Sequence, residues 1–206
     1  MWALINAAVE LVAEYPHWAL MIAFTAAALE AVAVLGVLLP GTPIVVAVAG
    51  AAAAAGQPMA PYLLLVMIGA VIGDFVSFWI GYRYRDRLRR VWPLSRKPHL
   101  MASADRFFDR WGIYSVMFCR FLPVLRSTVP MVAGMAGMCR RRFLLANVAS
   151  ALVWAPVHVY PGLLAGMTIE RVNNGDYRMA GLWAGILVAV CVGLWVLHRR
   201  LAARVR

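Results

Sequence analysis

Charge is scarce in this 206-residue chain, and acid is scarcer still. Nine Asp and Glu stand against twenty Lys and Arg, and charged residues make up only 14% of the whole. There are three cysteines, Cys119, Cys139 and Cys191; none has CxxC spacing, and each lies in or beside an apolar run. That pattern argues against a disulfide framework or a thiolate metal centre. His17, His99, His158 and His198 are isolated, with no partner at metal-ligand spacing, so no metal and no cofactor is expected. HExxH, GxSxG and the phosphate-cradling glycine loop are all missing. No nucleophile is paired with a base, so the chain is not expected to be an enzyme. The first residues lack a basic stretch and hold Glu10 and Glu14 instead, which speaks against a cleaved signal peptide.

What the chain has in excess is apolar surface. It is 64% hydrophobic, with a mean hydropathy of +0.77, where a soluble domain is roughly 45–50% apolar. The excess falls in five runs: 18–56, 61–82, 112–139, 143–166 and 179–197. A membrane span needs about 20 residues. The runs 61–82, 143–166 and 179–197 fit one span each. The run 18–56 is too long and is broken by Pro40, Gly41, Thr42 and Pro43. The run 112–139 is broken in the same way by Pro123 and Pro130, with Gly134 following. Residues 1–17 form a moderately amphipathic segment expected to lie along the interface.

Basic residues decide the threading. The net charge of +11 would suggest nucleic acid in a soluble protein. Here the arginines flank apolar runs, so the membrane reading prevails and no nucleic-acid partner is expected. Residues 83–98 carry seven basic side chains against Asp86; Arg140, Arg141 and Arg142 form a triplet; and the tail 198–206 holds Arg199, Arg200, Arg204 and Arg206. The loop 168–178 is balanced. The first three are therefore placed in the cytoplasm and the last outside. Spans 143–166 and 179–197 go out and back, leaving the C-terminus cytoplasmic. The run 112–139, basic on both flanks, must begin and end inside, as a re-entrant hairpin. The run 18–56 is read as a hairpin from the opposite face. The two share Leu-Pro followed by a second proline and a Val-Ala-Gly stretch, which suggests an inverted repeat, an architecture many transporters use. The expected fold is all-α, with two opposed hairpins and about three spans within a membrane domain covering 18–197. Residues 83–111 form a basic loop ending in an interfacial helix from Ser103 to Trp111.

Four ionisable side chains sit inside apolar runs: Glu30, Asp74, Arg120 and Arg126. Each costs about 2.5–3.5 kcal/mol at a span centre, so each needs a partner or a use. Glu30 is a candidate proton carrier or the ion-pair partner of an arginine. Arg120 and Arg126 bracket the Pro123 break, and guanidinium forks suit phosphate oxygens. Their two roles, gripping a lipid phosphate or pairing with Glu30 and Asp74, are compatible. Asp74 follows Gly69 and Gly73, whose spacing permits close helix approach, and is read as structural or coupling. Asn147 is read first as interhelical glue and second as a partner for broken backbone. Gly162 and Gly166, like Gly181 and Gly185, have packing spacing, for which a homodimer is one use.

The order of these motifs resembles the DedA family, also called the SNARE-associated or VTT-domain family, over roughly residues 18–166. The resemblance rests on Phe107 and Phe108; on Arg110, Trp111 and Gly112; and on Arg120, Pro123 and Arg126 at six-residue offset. Pro130, Ala133 and Gly134 continue it, as do Gly73 with Asp74, Gly81, and Glu30 followed by Pro40 and Gly41. The resemblance implies opposed re-entrant hairpins in a bacterial inner-membrane protein. It also implies lipid transport, with undecaprenyl phosphate or phosphatidylethanolamine as substrate and protons as a coupling ion. Glu30, Arg120 and Arg126 match the family's functional acid and arginine pair. One departure stands out: Thr42 occupies a position usually acidic, which leaves proton coupling to Glu30 alone. Three alternatives to an undecaprenyl phosphate flippase stay open here. They are a flippase or scramblase for phosphatidylethanolamine or another phospholipid, a proton-coupled small-cation or drug antiporter, and a non-transporting scaffold.

Overall fold

A computed structural model describes residues 2–33, 35–90, 108, 110–120 and 123–204, and all regular structure among these is helical. In chain order the helices are α1 (Trp2–Glu14), α2 (Pro16–Ala31), α3 (Leu35–Leu38), α4 (Gly41–Ala54) and α5 (Met59–Arg90). They continue as α6 (Ile113–Cys119), α7 (Pro123–Met135), α8 (Arg140–Asn173) and α9 (Tyr177–Arg204). The interfacial helix expected over 103–111, and the basic loop beyond residue 90, fall largely outside the described residues. The segment 198–204, read from sequence as part of the tail, continues α9.

Among the described residues, two helices are long and apolar enough to cross a membrane, over Met59–Leu88 and Arg140–Asn173. Their faces say what surrounds them. On α5, Leu64, Ile68, Ile72, Val76 and Trp79 are exposed, at steps of four, four, four and three residues, which is one helix face. On the opposite face, Asp74 and Ser77 are buried beside Val66, Ala70 and Phe78. α8 repeats the pattern: Leu145, Leu152 and Val153 face out while Asn147 and Ser150 are buried. Polar residues inward and large apolar residues outward reverse the order that water imposes. Lipid, which solvates apolar side chains and rejects polar ones, accounts for it.

The chain divides into two units. The first comprises Met1–Ala23, Ile44–Leu63 and Val157–Arg206; the second comprises Phe24–Pro43 and Leu64–Pro156. In the first, α4 and α8 meet through glycine. A Cβ on Gly162 would stand 3.0 Å from the Ala49 Cβ and 3.2 Å from the Gly50 nitrogen. In the second, Phe78 stacks on Phe143 with ring centroids 4.2 Å apart, in a core with Phe108, Val116, Ala133 and Ala146. There Gly69 and Gly73 bring α5 against α2, while Gly81 and Gly134 bring α5 against α7.

The breaks differ from those expected. The first apolar run leaves the helix at Val32 and Ala33, ahead of any proline, and again at Leu39 and Pro40. Ser77 of α5 stabilises the first break. Its hydroxyl donates to the Ala31 carbonyl (3.1 Å) and accepts from the Ala33 N–H (2.8 Å). Pro43 is not a break: it is the third residue of α4, in the first turn, where a backbone N–H has no intrahelical partner to lose. In the second run the helix ends at Arg120 and restarts at Pro123. Pro130 and Gly134, read as breaks from sequence, both lie within α7. Proline inside a helix forfeits one hydrogen bond, which a membrane helix tolerates when neighbours re-satisfy the freed carbonyl. Gly134 serves close packing instead, because any Cβ there would run into the Phe78 carbonyl.

Candidate functional site

The four ionisable side chains singled out in the apolar runs, Glu30, Asp74, Arg120 and Arg126, all lie in the second unit, where they form two buried ion pairs. The inner pair joins α5 to the end of α6. The Arg120 Nη2 group donates to Asp74 Oδ2, to Asn147 Oδ1 at 2.6 Å and to the Ala70 carbonyl at 3.5 Å. Asn147, on α8, donates in turn to the Val71 carbonyl at 3.0 Å. Arg120 is 3% exposed, Asp74 4% and Asn147 0%. This group locks three helices, so Asn147 both supports the arginine and joins α8 to α5.

The outer pair is built on the first break. Glu30 sits near the end of α2, and the chain turns back so that the N-terminus of α4 meets it. Gly41 permits this approach: a Cβ there would stand 2.7 Å from the Glu30 Cβ and 2.8 Å from its Oε2. The helix N-terminus favours a carboxylate. The Thr42 hydroxyl lies 2.6 Å from Glu30 Oε1 and 2.9 Å from Oε2, donating to the carboxylate. The same oxygen accepts from Arg126 Nη1 at 3.3 Å, and Nη1 also reaches Glu30 Oε1 at 3.0 Å. Thr42, which sequence presented as a lost carboxyl, is thus a bridge between acid and base.

The Arg126 guanidinium lies over the Trp154 ring, 4.0 Å from its centroid. Arg120 is farther, at 5.9 Å. The aromatic face helps hold a buried cation. Trp154 and Asn147 are seven residues apart on α8, two helical turns, so they share a face. That spacing was the available signal for Trp154. Asp74 and Ser77, three apart on α5, are related in the same way.

The two pairs are not equally occupied. Arg126 is 5% exposed, yet its Nε and Nη2 atoms are buried without a hydrogen-bond partner among the described residues, as is Arg120 Nη1. On the acidic side, Asp74 Oδ1 is the one atom in that state. Unmatched donors on two fixed guanidinium groups suit the oxygens of a phosphate or carboxylate. Side-chain exposure is 14% at Glu30, 6% at Arg126 and 2% at Arg120, so Glu30 is the most exposed member of the two pairs.

Comparison with known proteins gives this arrangement its setting. The VTT domain model matches residues 39–164, which include Thr42, Asp74, both arginines, Asn147 and Trp154. Inner membrane protein YabI of Escherichia coli (strain K12) is 32% identical over 183 residues, covering 87% of this chain and 69% of that protein. Protein DedA of the same strain is 29% identical over 201 residues, 95% of this chain and 90% of the relative. Uncharacterized membrane protein Mb2670 of Mycobacterium bovis is 31% identical over 185 residues, 85% and 81% respectively. No solved structure matches. Apolar helices with outward-facing aliphatic side chains, buried ion pairs and membrane-protein relatives agree: the chain is a membrane protein and belongs to the VTT-domain (DedA) family.

Proposed function

We propose that this protein moves a phosphate-bearing lipid across the bacterial inner membrane, with undecaprenyl phosphate first among the candidates. The observation that carries the reading is Arg126, a buried cation stacked on Trp154 and held through Nη1 by Glu30 and Thr42, whose Nε and Nη2 have no hydrogen-bond partner among the described residues. A phosphate oxygen approaching past Glu30 competes for that guanidinium. Protonation of Glu30 weakens its hold, so proton uptake and headgroup binding are coupled. Arg120, engaged by Asp74 and Asn147, offers Nη1 as a second donor and holds the back of the site in place. The acyl chains stay in the bilayer throughout.

On this reading the two broken segments, 18–56 and 112–139, are re-entrant hairpins from opposite leaflets related as an inverted repeat. The C-terminus is cytoplasmic. Rocking of one repeat against the other changes the side to which the site opens. The excess of free donors over free acceptors favours an anionic substrate over the small cation of an antiporter. A scaffold has no use for unpartnered buried guanidinium groups. The test is a flipping assay in vesicles with reconstituted protein and a fluorescent polyprenyl or glycerol phospholipid. Glu30→Gln and Arg126→Ala are expected to slow flipping at least tenfold; wild-type rates in both would overturn the reading.

A further inference from the structure

We infer that the Ser127 hydroxyl is a further donor to the lipid phosphate, and that it selects a headgroup whose phosphate is a monoester. The inference rests on the proposed function and specifies its substrate class. Its basis is a buried hydroxyl that the fold leaves unused. Among the described residues the buried serines are Ser77, Ser115, Ser127 and Ser150. Three of them donate to a backbone carbonyl: Ser77 to Ala31 at 3.1 Å, Ser115 to Gly112 at 2.6 Å and Ser150 to Asn147 at 2.9 Å. Such bonds are the usual outlet for a serine hydroxyl within a helix. Ser127, the fifth residue of α7, makes none, and its Oγ is buried without a partner among the described residues.

The fold sets that hydroxyl beside the Glu30–Arg126 pair. Ser127 follows Arg126 directly in α7. Its side chain packs on Gly36 of α3, where an added Cβ would stand 3.1 Å from the Ser127 Cβ and would run into the Glu30 carbonyl. Gly36 is thus a common neighbour of Ser127 and Glu30. Arg126 gives Nη1 to Glu30 and Thr42, while its Nε and Nη2 stay without a partner among the described residues. Those two nitrogens form the side edge of the guanidinium, whose parallel N–H bonds match two oxygens of one phosphate. With that edge engaged, a third oxygen is left for the adjoining Ser127 hydroxyl. A phosphomonoester has three terminal oxygens that share its charge. A diester has two, and its other oxygens are ester oxygens, which accept weakly. Arg120 Nη1, also without a partner, serves either ester class. In the empty site the Ser127 hydroxyl is a cost, because a buried polar group without a partner is disfavoured. A group that lowers stability when the site is empty and gains a bond when it is filled acts in binding, not in holding the fold.

The experiment compares wild type with Ser127→Ala, which deletes the hydroxyl and suits a helix. In reconstituted vesicles, flipping is measured against the mole fraction of two fluorescent lipids with identical acyl chains. One is phosphatidic acid, a monoester, and the other phosphatidylglycerol, a diester. The melting temperature of each protein is measured in detergent without anionic lipid. Ser127→Ala is expected to raise the mole fraction that gives half-maximal flipping about tenfold for the monoester, as loss of one hydrogen bond to a charged group requires. For the diester the rise should be less than about threefold. The lipid-free melting temperature should increase by about 2–4 °C, because an unpartnered hydroxyl has left the interior. Unchanged monoester flipping, equal loss for both lipids, or a melting temperature that does not rise overturns the inference while leaving the proposed function intact. Failure of the wild type to move either lipid overturns the proposed function.

Discussion

Replacing Glu30 by Gln removes the carboxylate that is ion-paired with Arg126 among the described residues while preserving side-chain volume. The charged centres of the pair lie about 4 Å apart, and at an effective dielectric near 20 their attraction is about 4 kcal/mol. The amide oxygen can still accept a hydrogen bond from Arg126, which restores about 1 kcal/mol. A net loss of about 3 kcal/mol agrees with the cost of breaking a buried ion pair from one side. Arg126 then lacks a counter-ion, and an anionic lipid supplies one. Glu30→Gln is therefore expected to unfold more readily in detergent than wild type and to be rescued more strongly by added anionic lipid. A headgroup at 100 times its dissociation constant returns about 2.7 kcal/mol. The assay is denaturant or thermal unfolding with and without phosphatidylglycerol, completed by Arg126→Gln and the double variant. The coupling energy between the two sites should be at least about 2 kcal/mol. A coupling below about 0.5 kcal/mol, or equal lipid rescue in wild type and variant, would refute the pairing as the element that gates the arginine.

Other expectations follow from the same geometry. Gly73→Val places a branched side chain against the Ala28 carbonyl and within 2.7 Å of the Ala31 Cβ. It should part α2 from α5, free Ser77 from the first break and lower stability by about 1–3 kcal/mol in a detergent melt; an unchanged melt would contradict the close approach. Cys139 is exposed ahead of α8, where the backbone N–H groups of Arg142 and then Arg141 stabilise its thiolate and hold the thiol below the ordinary cysteine range. Because the anion is the nucleophile, its alkylation rate should level off at lower pH than that of a free cysteine, and buried Cys119 should react far more slowly. Mass spectrometry after pulsed iodoacetamide reads both. Trp154→Leu removes the aromatic face from Arg126 and is expected to weaken anionic-lipid binding about threefold to tenfold. An effect of the same size on a zwitterionic lipid would point to packing instead.

The four buried charges were legible in the sequence because an ionisable residue in an apolar run stands out by its cost. Their pairing was less so. Arg120 and Asp74 are 46 residues apart, and Thr42 and Arg126 are 84 apart, distances over which spacing carries no information. The first break escaped notice for a related reason. Residues 31–34 read Ala, Val, Ala, Val, without a turn-forming residue, and the partner that stabilises the break is Ser77, 44 positions beyond Ala33. Proline and glycine misled at Pro130 and Gly134 because each has two meanings in a membrane helix. Proline can end a helix or be tolerated within it; glycine can turn the chain or let two helices touch. Thr42 was visible as a missing carboxyl, whereas its hydroxyl as a bridge needed the fold of α4 onto Glu30.

The central claim is contact between a lipid phosphate and the Arg126 guanidinium, and nitrogen–phosphorus distance measurement by solid-state NMR addresses it directly. With ¹⁵N-arginine protein in vesicles of phosphatidylglycerol, the account predicts a guanidinium nitrogen within about 4 Å of phosphorus, as a charge-assisted hydrogen bond requires. That signal should vanish in Arg126→Lys and strengthen in Glu30→Gln. Dephasing that persists unchanged in Arg126→Lys would assign the lipid to the surface arginines and contradict the account.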